Sequence, residues 1–358
     1  MAAALQPAAI PTSNPDSDSD SAAQLSAMLR GVAVAPLDSV GWIRVTGSDR
    51  VRWLNGMVTN DTQSLQPSEG CYNFVLNAQG RIQGDLTTFA EADAYLLETG
   101  REQVPALLAH LDHFIIMDDV ELADITDSRR GVLVAGPQAE SVLARLGLAT
   151  GAHSPLRLQS ASWNAATIHI VHAYGPVVPR YELWSDSATV AALTASLIAV
   201  GATPILAETL EALRILSGMP RYGVDIRNTD AAHDLPQETG QTRALHFAKG
   251  CYLGQEIVER IRSRGSVHRT FHGFELTGAL PAPGTPLTAE SSPRPVGELT
   301  SVAAIPLPES AAAPARVIQL ALGYVRREAL ADAQARALTL EYPGGGIATP
   351  IAMPYPIP

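Results

Sequence analysis

The sequence predicts an α+β body followed by a separate C-terminal β-barrel. Three observations lead there. Strand-like and helix-like runs mix up to residue 265 without the strict strand-helix-strand repeat of a doubly wound sheet, and no dinucleotide-binding glycine fingerprint appears. Beyond that point the chain turns to short strands broken by Pro and Gly, the pattern of a small barrel or sandwich. A length of 358 residues with 46% hydrophobic content is enough for a large buried core in two or three domains.

Each element follows from its local pattern. "VGWIRVTG" alternates apolar and polar side chains like a strand, and "SDRVRWLNGMV" spaces Val51, Leu54 and Val58 as a helix does, with Ser48 or Asp49 as its cap. "CYNFVLNAQGRIQGDLTTF" gives two strands around a turn supplied by Asn77 and Gly80, and "AYLLET" a third. "REQVPALLAHLDHF" predicts a helix, "GVLVAG" a short buried strand, and "PQAESVLARLG" a helix opened by Pro137 and closed by Gly147. "TIHIVHA" and "RYELWS" are strands, followed by the helices "ATVAALTASLIAV" and "LAETLEALRILSG". The barrel strands are "TFHGFEL", "GTPL", "VGELTSVAAI", "VIQLALGYV" and "ALTLEY". The expected domains are a disordered tail over 1–25, the body over 26–265, the barrel over 266–345 and a Pro-rich tail over 346–358. The first has no Lys or Arg among its opening residues, unlike a secretory or mitochondrial leader, and the last is expected to form no interior helix or central strand.

Charge and cysteine content narrow the function. A formal net charge of -11 repels polyanions, so any RNA contact needs a local basic patch such as "ERIRSRGSVHR". Two cysteines, Cys71 and Cys251, can form neither a disulfide framework nor a metal site, which fits a reducing cytoplasmic setting. No run approaches the roughly 20 apolar residues of a membrane span. His110 and His113 stand at helical spacing but lack a third ligand nearby in sequence, so no metal site is expected.

"KGCYLGQEIVER" carries the most chemistry. Gly250 and Gly254 bracket Cys251, Lys249 stands two positions away, and helical periodicity begins just after, with Glu256 and Arg260 spaced for an ion pair. A cation and a helix N-terminus both favour a thiolate, whereas the alternative is an inert buried thiol.

This segment resembles the signature of the YgfZ-type folate-binding proteins, relatives of the glycine cleavage T-protein (aminomethyltransferase) that serve iron-sulfur cluster assembly or repair and affect tRNA modification. The similarity runs from about Val40 to about Leu330, through "VTGSDRVRWLNGMVTNDTQSL", "NAQGRIQGDL", "ALRILSGMPRYGVDI", "LPQETG", "VGELTS" and "LALGYV". The resemblance implies a T-protein-like body with a central cavity for tetrahydrofolate or a derivative, ahead of the barrel. "RYELW" resembles the segment carrying a pterin-binding glutamate, which implies Glu182, and "ALRILSG" that of a folate-contacting arginine, Arg214. "QGDL" stands where the T-protein has paired aspartates, leaving Gly84 and a catalytic acid at Asp85. By the same likeness Cys251 is catalytic and faces the folate cavity, with Lys249, Tyr252 and Gln255 as cofactor-binding neighbours. Implied partners are a reduced folate and the iron-sulfur assembly machinery or its client enzymes, with tRNA touched only indirectly or weakly and no membrane. The competing functions are aminomethyl transfer in glycine cleavage, where Asp85 would act electrostatically, and an RNA-binding module.

Overall fold

The computed structural model describes residues 15–151, 155–229, 234–265, 267–289, 292–309, 313–336 and 339–357. In chain order the elements of the body are α1 (Pro15–Arg30), β1 (Ala33–Pro36), β2 (Val40–Thr46), α2 (Arg50–Met57), β3 (Gly70–Leu76), β4 (Ile82–Ala90), β5 (Tyr95–Gly100), α3 (Val104–Asp112), β6 (Glu121–Asp124), β7 (Arg130–Ala135) and α4 (Ala139–Arg145). Then come β8 (Arg157–Trp163), β9 (Ala166–Ala173), β10 (Arg180–Ser185), α5 (Ser187–Ala199), β11 (Thr203–Pro204), α6 (Ala207–Leu216) and α7 (Gln255–Arg264). The C-terminal unit holds β12 (Arg269–Thr277), β13 (Thr285–Ala289), β14 (Ser292–Leu307), β15 (Arg316–Arg326), α8 (Arg327–Arg336), β16 (Leu340–Tyr342) and β17 (Gly346–Ile351).

The body is built on two sheets. One has the order β11-β1-β7-β10-β9-β8 and the other β3-β4-β5-β2-β6, while the C-terminal strands close a barrel in the order β12-β15-β14-β13-β16-β17. Period-2 alternation explains why the sheets face each other. Along β10, Tyr181 and Leu183 point to the α4 and α5 side with Val142 and Leu193, whereas Trp184 packs in the central core with Trp42 and Phe89. Along β5, Tyr95 and Leu97 pack with Leu54 of α2 and Leu107 of α3, while Leu96 joins the central core. The rings of Trp42 and Trp184 meet edge to face at 5.3 Å and fasten the two inner surfaces together.

Both expected tails are corrected. Helix α1 starts at Pro15, well inside the stretch expected to be disordered, and residues 1–14 of that stretch lie outside the described residues. Leu25 and Met28 are buried in the central core, and the Gln24 amide oxygen accepts from Leu206 N at 2.8 Å and Thr209 Oγ1 at 3.0 Å. Gln24 thereby satisfies open donors at the start of α6, which has no side-chain cap of its own. At the other end, β17 pairs with β12 and β16 and closes the barrel, although it falls in the segment expected to form a Pro-rich tail. Gly344 and Gly345, at φ of 91° and 75°, supply the tight reversal that lets β17 return along β16. Tyr355 beyond it is buried, and its N–H donates to Leu216 O at 2.8 Å.

The first helix cap also differs. Asp49 is the N-cap of α2 but makes no side-chain cap bond; its carboxylate accepts from Asp119 N at 2.9 Å instead, joining the β2–α2 turn to the approach to β6.

Candidate functional site

A cavity of about 770 Å³ opens where the inner faces of the two sheets diverge beside α6, and its walls include Tyr72, Asp85, Glu98, Tyr174, Arg180 and Arg214. At one wall an acid from each sheet meets: Glu98 of β5 shares a hydrogen bond with Glu182 of β10. Glu182 is 1% exposed and accepts from Arg180 Nη2 at 3.1 Å and Trp184 Nε1 at 3.4 Å. Glu98, half-buried, is the member that reaches the cavity surface. Two carboxyls can share a hydrogen bond only if one of them carries a proton. Burial and the neighbouring Glu182 accordingly hold the Glu98 carboxyl well above the ordinary carboxylate range. The Nε of Arg180, also at this wall, is buried with no partner among the described residues.

The shifted acid makes a stability prediction. A carboxyl with a raised folded-state pKa binds its proton more tightly folded than unfolded, so its contribution is complete below its ordinary value of 4.5 and is lost as pH rises through the folded value. Stability of the wild type should therefore fall with rising pH across that window more steeply than that of Glu98→Gln, read from urea unfolding at about pH 5 and about pH 8. Parallel curves would show that Glu98 holds no such proton.

Asp85 stands on another part of the wall. Tyr72 donates its hydroxyl to Asp85 Oδ2 at 2.6 Å and Gln103 donates Nε2 to Oδ1 at 2.9 Å. Burial raises its pKa against the lowering effect of these two bonds and of the Arg243 charge. At Gly84, just before Asp85, a Cβ would lie 2.6 Å from Leu107 Cδ2 and 3.1 Å from Gln103 Oε1, so an aspartate there would have to displace both side chains. Gly84 thus leaves room for Leu107 of α3 to lie against β4.

Arg214 lines the cavity but has its guanidinium fully engaged elsewhere. Nε and Nη2 grip Glu211 at 2.9 and 2.7 Å, Nη1 donates to Met219 O at 2.6 Å and Asp225 Oδ2 at 2.7 Å, and Nη2 also reaches Ser301 Oγ at 2.6 Å. All five donors have acceptors in the protein. Asp225, fully buried, in turn accepts from Thr300 and Ser301 of β14, so this network fastens α6 to the barrel.

The cysteine motif lies elsewhere, which corrects the expectation that Cys251 and its neighbours face the cavity. Lys249 Nζ donates to the carbonyls of Asn55, Val58 and Asn60 at 2.6–2.7 Å, a cation placed on the C-terminal end of α2. Leu253 N donates to Gly56 O at 3.0 Å, and Gly254, at φ of 81°, lies so close to Asn77 O that a Cβ would be only 2.5 Å away. Tyr252 is buried beside Phe74 and Val258, with burial pushing its pKa up to about 12, and Gln255 opens α7 with its N–H on Tyr252 O. These anchors leave Cys251 as a free, exposed thiol just ahead of α7, outside the cavity lining. Cys71 is also free, but burial pushes its thiol up to about 11. Among the described residues no three His, Cys, Asp or Glu side chains cluster as metal ligands.

The profile of the GCVT N-terminal domain matches residues 7–249, more than half of the chain. The chain belongs to the GCVT family. Within it, the tRNA-modifying protein YgfZ of Vibrio vulnificus is 28% identical over 75% of this chain and 76% of its own length. The mitochondrial iron-sulfur cluster assembly factor IBA57 homolog of Aspergillus oryzae is 28% identical over 78% of this chain, and a chloroplastic protein of Arabidopsis thaliana 27% over 77%. In both of these the match spans 63% of the relative's length, under two thirds. Among solved structures, the glycine cleavage system aminomethyltransferase T of Bartonella henselae superposes with a TM-score of 0.76 over 94% of this chain and 89% of that one, at 18% identity. This likeness establishes a T-protein-like fold for the GCVT-family chain. No helix among its described residues is long and apolar enough to cross a membrane.

The cavity therefore unites Asp85 and Arg214 with the acid pair that includes Glu182, and separates all of them from Lys249, Cys251, Tyr252 and Gln255. Sequence reasoning missed Glu98, Gln103, Arg180 and the two tyrosines. One signal was available for Glu98: in "AYLLETG" it shares a strand face with Leu96, and a charge on a strand that is apolar on both faces marks an interior position.

Proposed function

We propose that the protein is a folate-dependent accessory factor for iron-sulfur cluster assembly or repair, with effects on tRNA modification, and that the cavity between the two sheets holds the reduced folate. The observation that carries this reading is the buried Glu98–Glu182 pair at the cavity wall. Buried carboxyls are costly unless matched by donors, and a pterin ring offers adjacent N–H donors that a carboxylate accepts in pairs. The polar groups present fit such a ring: Glu98, backed by Glu182, would face its pyrimidine edge, with Asp85 and Tyr72 at another part of the same wall. Support also comes from relatives named for tRNA modification and for iron-sulfur cluster assembly. The bound folate would supply one-carbon or redox chemistry; the chain's own residues would bind and orient it, with Asp85, held by Tyr72 and Gln103, as an acceptor beside it.

Calorimetric titration with a reduced folate tests the reading, with binding expected in the micromolar range and absence of heat excluding it. Cys251, exposed outside the cavity, would act on a protein or metal partner. Cys251→Ser should leave melting temperature and folate affinity unchanged while abolishing support of iron-sulfur enzymes in a complementation assay. Unchanged complementation would assign the thiol no chemistry.

The likeness to aminomethyltransferase T favours a second reading, aminomethyl transfer. Formation of methylene-tetrahydrofolate from an aminomethylated carrier protein would establish it. An RNA-binding face on "ERIRSRGSVHR" finds less support, because Arg269 turns inward onto Asp234 and Glu238 and Arg262 stacks 4.4 Å above Phe247.

A further inference from the structure

Arg243 is the cation that the site described above leaves unused. Its Cζ lies 4.0 Å from the ring centre of Tyr72 and 4.2 Å from that of Tyr174, so the guanidinium is held against two aromatic rings. Three other half-buried arginines have carboxylate partners: Arg214 has Glu211 and Asp225, Arg227 has Glu298, and Arg269 has Asp234 and Glu238, whereas Arg129, away from the cavity lining, has none among the described residues. Arg243 differs from those three. Its Nε donates to Gln241 Oε1 at 3.2 Å, and among the described residues no acceptor meets Nη1 or Nη2 and no carboxylate pairs with it. Asp85 is near enough to feel its charge but is already held by Tyr72 and Gln103.

Its position is as informative as its lack of a partner. Arg243 lines a second hollow of about 470 Å³ that shares Tyr174, Pro176, Ser217 and Met219 with the main cavity. Contact with the two rings confines the guanidinium, and Nη1 and Nη2, which have no acceptor among the described residues, can together grip a carboxylate by two parallel bonds.

We propose that Arg243, held against Tyr72 and Tyr174, is the receptor for a terminal carboxylate of the ligand whose ring end lies at Glu98 and Glu182. The proposal rests on the folate reading and adds to it the residue that recognises the glutamate tail. It also assigns that task to Arg243 rather than to Arg214.

Three probes separate the two claims: a reduced folate, a tetrahydropterin lacking the tail, and 4-aminobenzoylglutamate lacking the pterin. Each is titrated by calorimetry into wild type, Arg243→Gln and Arg243→Lys, with melting temperatures confirming that the variants are folded. The expected result is that Arg243→Gln weakens reduced folate and 4-aminobenzoylglutamate by about tenfold or more while tetrahydropterin affinity stays unchanged. Arg243→Lys, which keeps the charge but loses the planar fork, should recover only part of that loss. Equal affinity of wild type and Arg243→Gln for 4-aminobenzoylglutamate, or equal weakening of all three probes, would overturn the assignment. Failure of tetrahydropterin to bind wild type would instead count against the folate reading, while tail binding that depends on Arg243 would leave the carboxylate receptor standing.

Discussion

Arg214→Ala is expected to lower the unfolding free energy by about 3–5 kcal/mol, the usual consequence of leaving a buried charge without its partner. The buried charge is Asp225, 0% exposed, which binds Arg214 on one side and Thr300 and Ser301 of β14 on the other. Removing the guanidinium also strips Glu211 of a two-pronged contact and leaves Met219 O without its donor. The joint between α6 and the barrel should loosen as a unit, so urea unfolding is the measurement. Adding Asp225→Asn to the variant should restore part of the loss, because it removes the orphaned charge. A destabilisation below about 1 kcal/mol would mean that the network is no stronger than a surface pair.

Glu98→Gln is expected to separate stability from binding. At neutral pH the variant should be as stable as the wild type or more so, since it removes a carboxyl that burial and Glu182 disfavour in its charged form. Reduced-folate affinity should nonetheless fall by about 3- to 10-fold, the loss typical of one neutral hydrogen bond. Such a divergence marks a residue kept for its ligand at the expense of the fold. Glu182→Ala should behave differently, losing stability as well, because Arg180 and Trp184 Nε1 would both be left without their acceptor. Unchanged affinity in Glu98→Gln would remove the acid pair from the binding site.

Much of this architecture was legible in the sequence. Alternation in "VGWIRVTG" and "RYELWS" and helical spacing in "LAETLEALRILSG" gave the strands and helices of the two sheets, and the resemblance supplied the T-protein-like arrangement and the barrel. What stayed hidden depends on contacts between distant segments. Gln24 caps a helix that begins at residue 207, so nothing near it announced that α1 is folded. Arg243 gains meaning only from Tyr72 on β3 and Tyr174 just past the end of β9, strands that belong to different sheets. The cysteine motif misled for a related reason. Lys249 and Gly254 suit a reactive thiol and also suit a loop clamped over the end of α2, and only the three carbonyls around Nζ distinguish the two roles.

The central claim is that a pteridine ring lies against Glu98 and Glu182, between the two sheets of the body. A crystal structure of the protein with a reduced folate tests it most directly. The account predicts density for the ring within hydrogen-bonding distance of Glu98 and for the tail carboxylate at Arg243. Density for the ring at any other surface, or an empty cavity at saturating ligand, would contradict it.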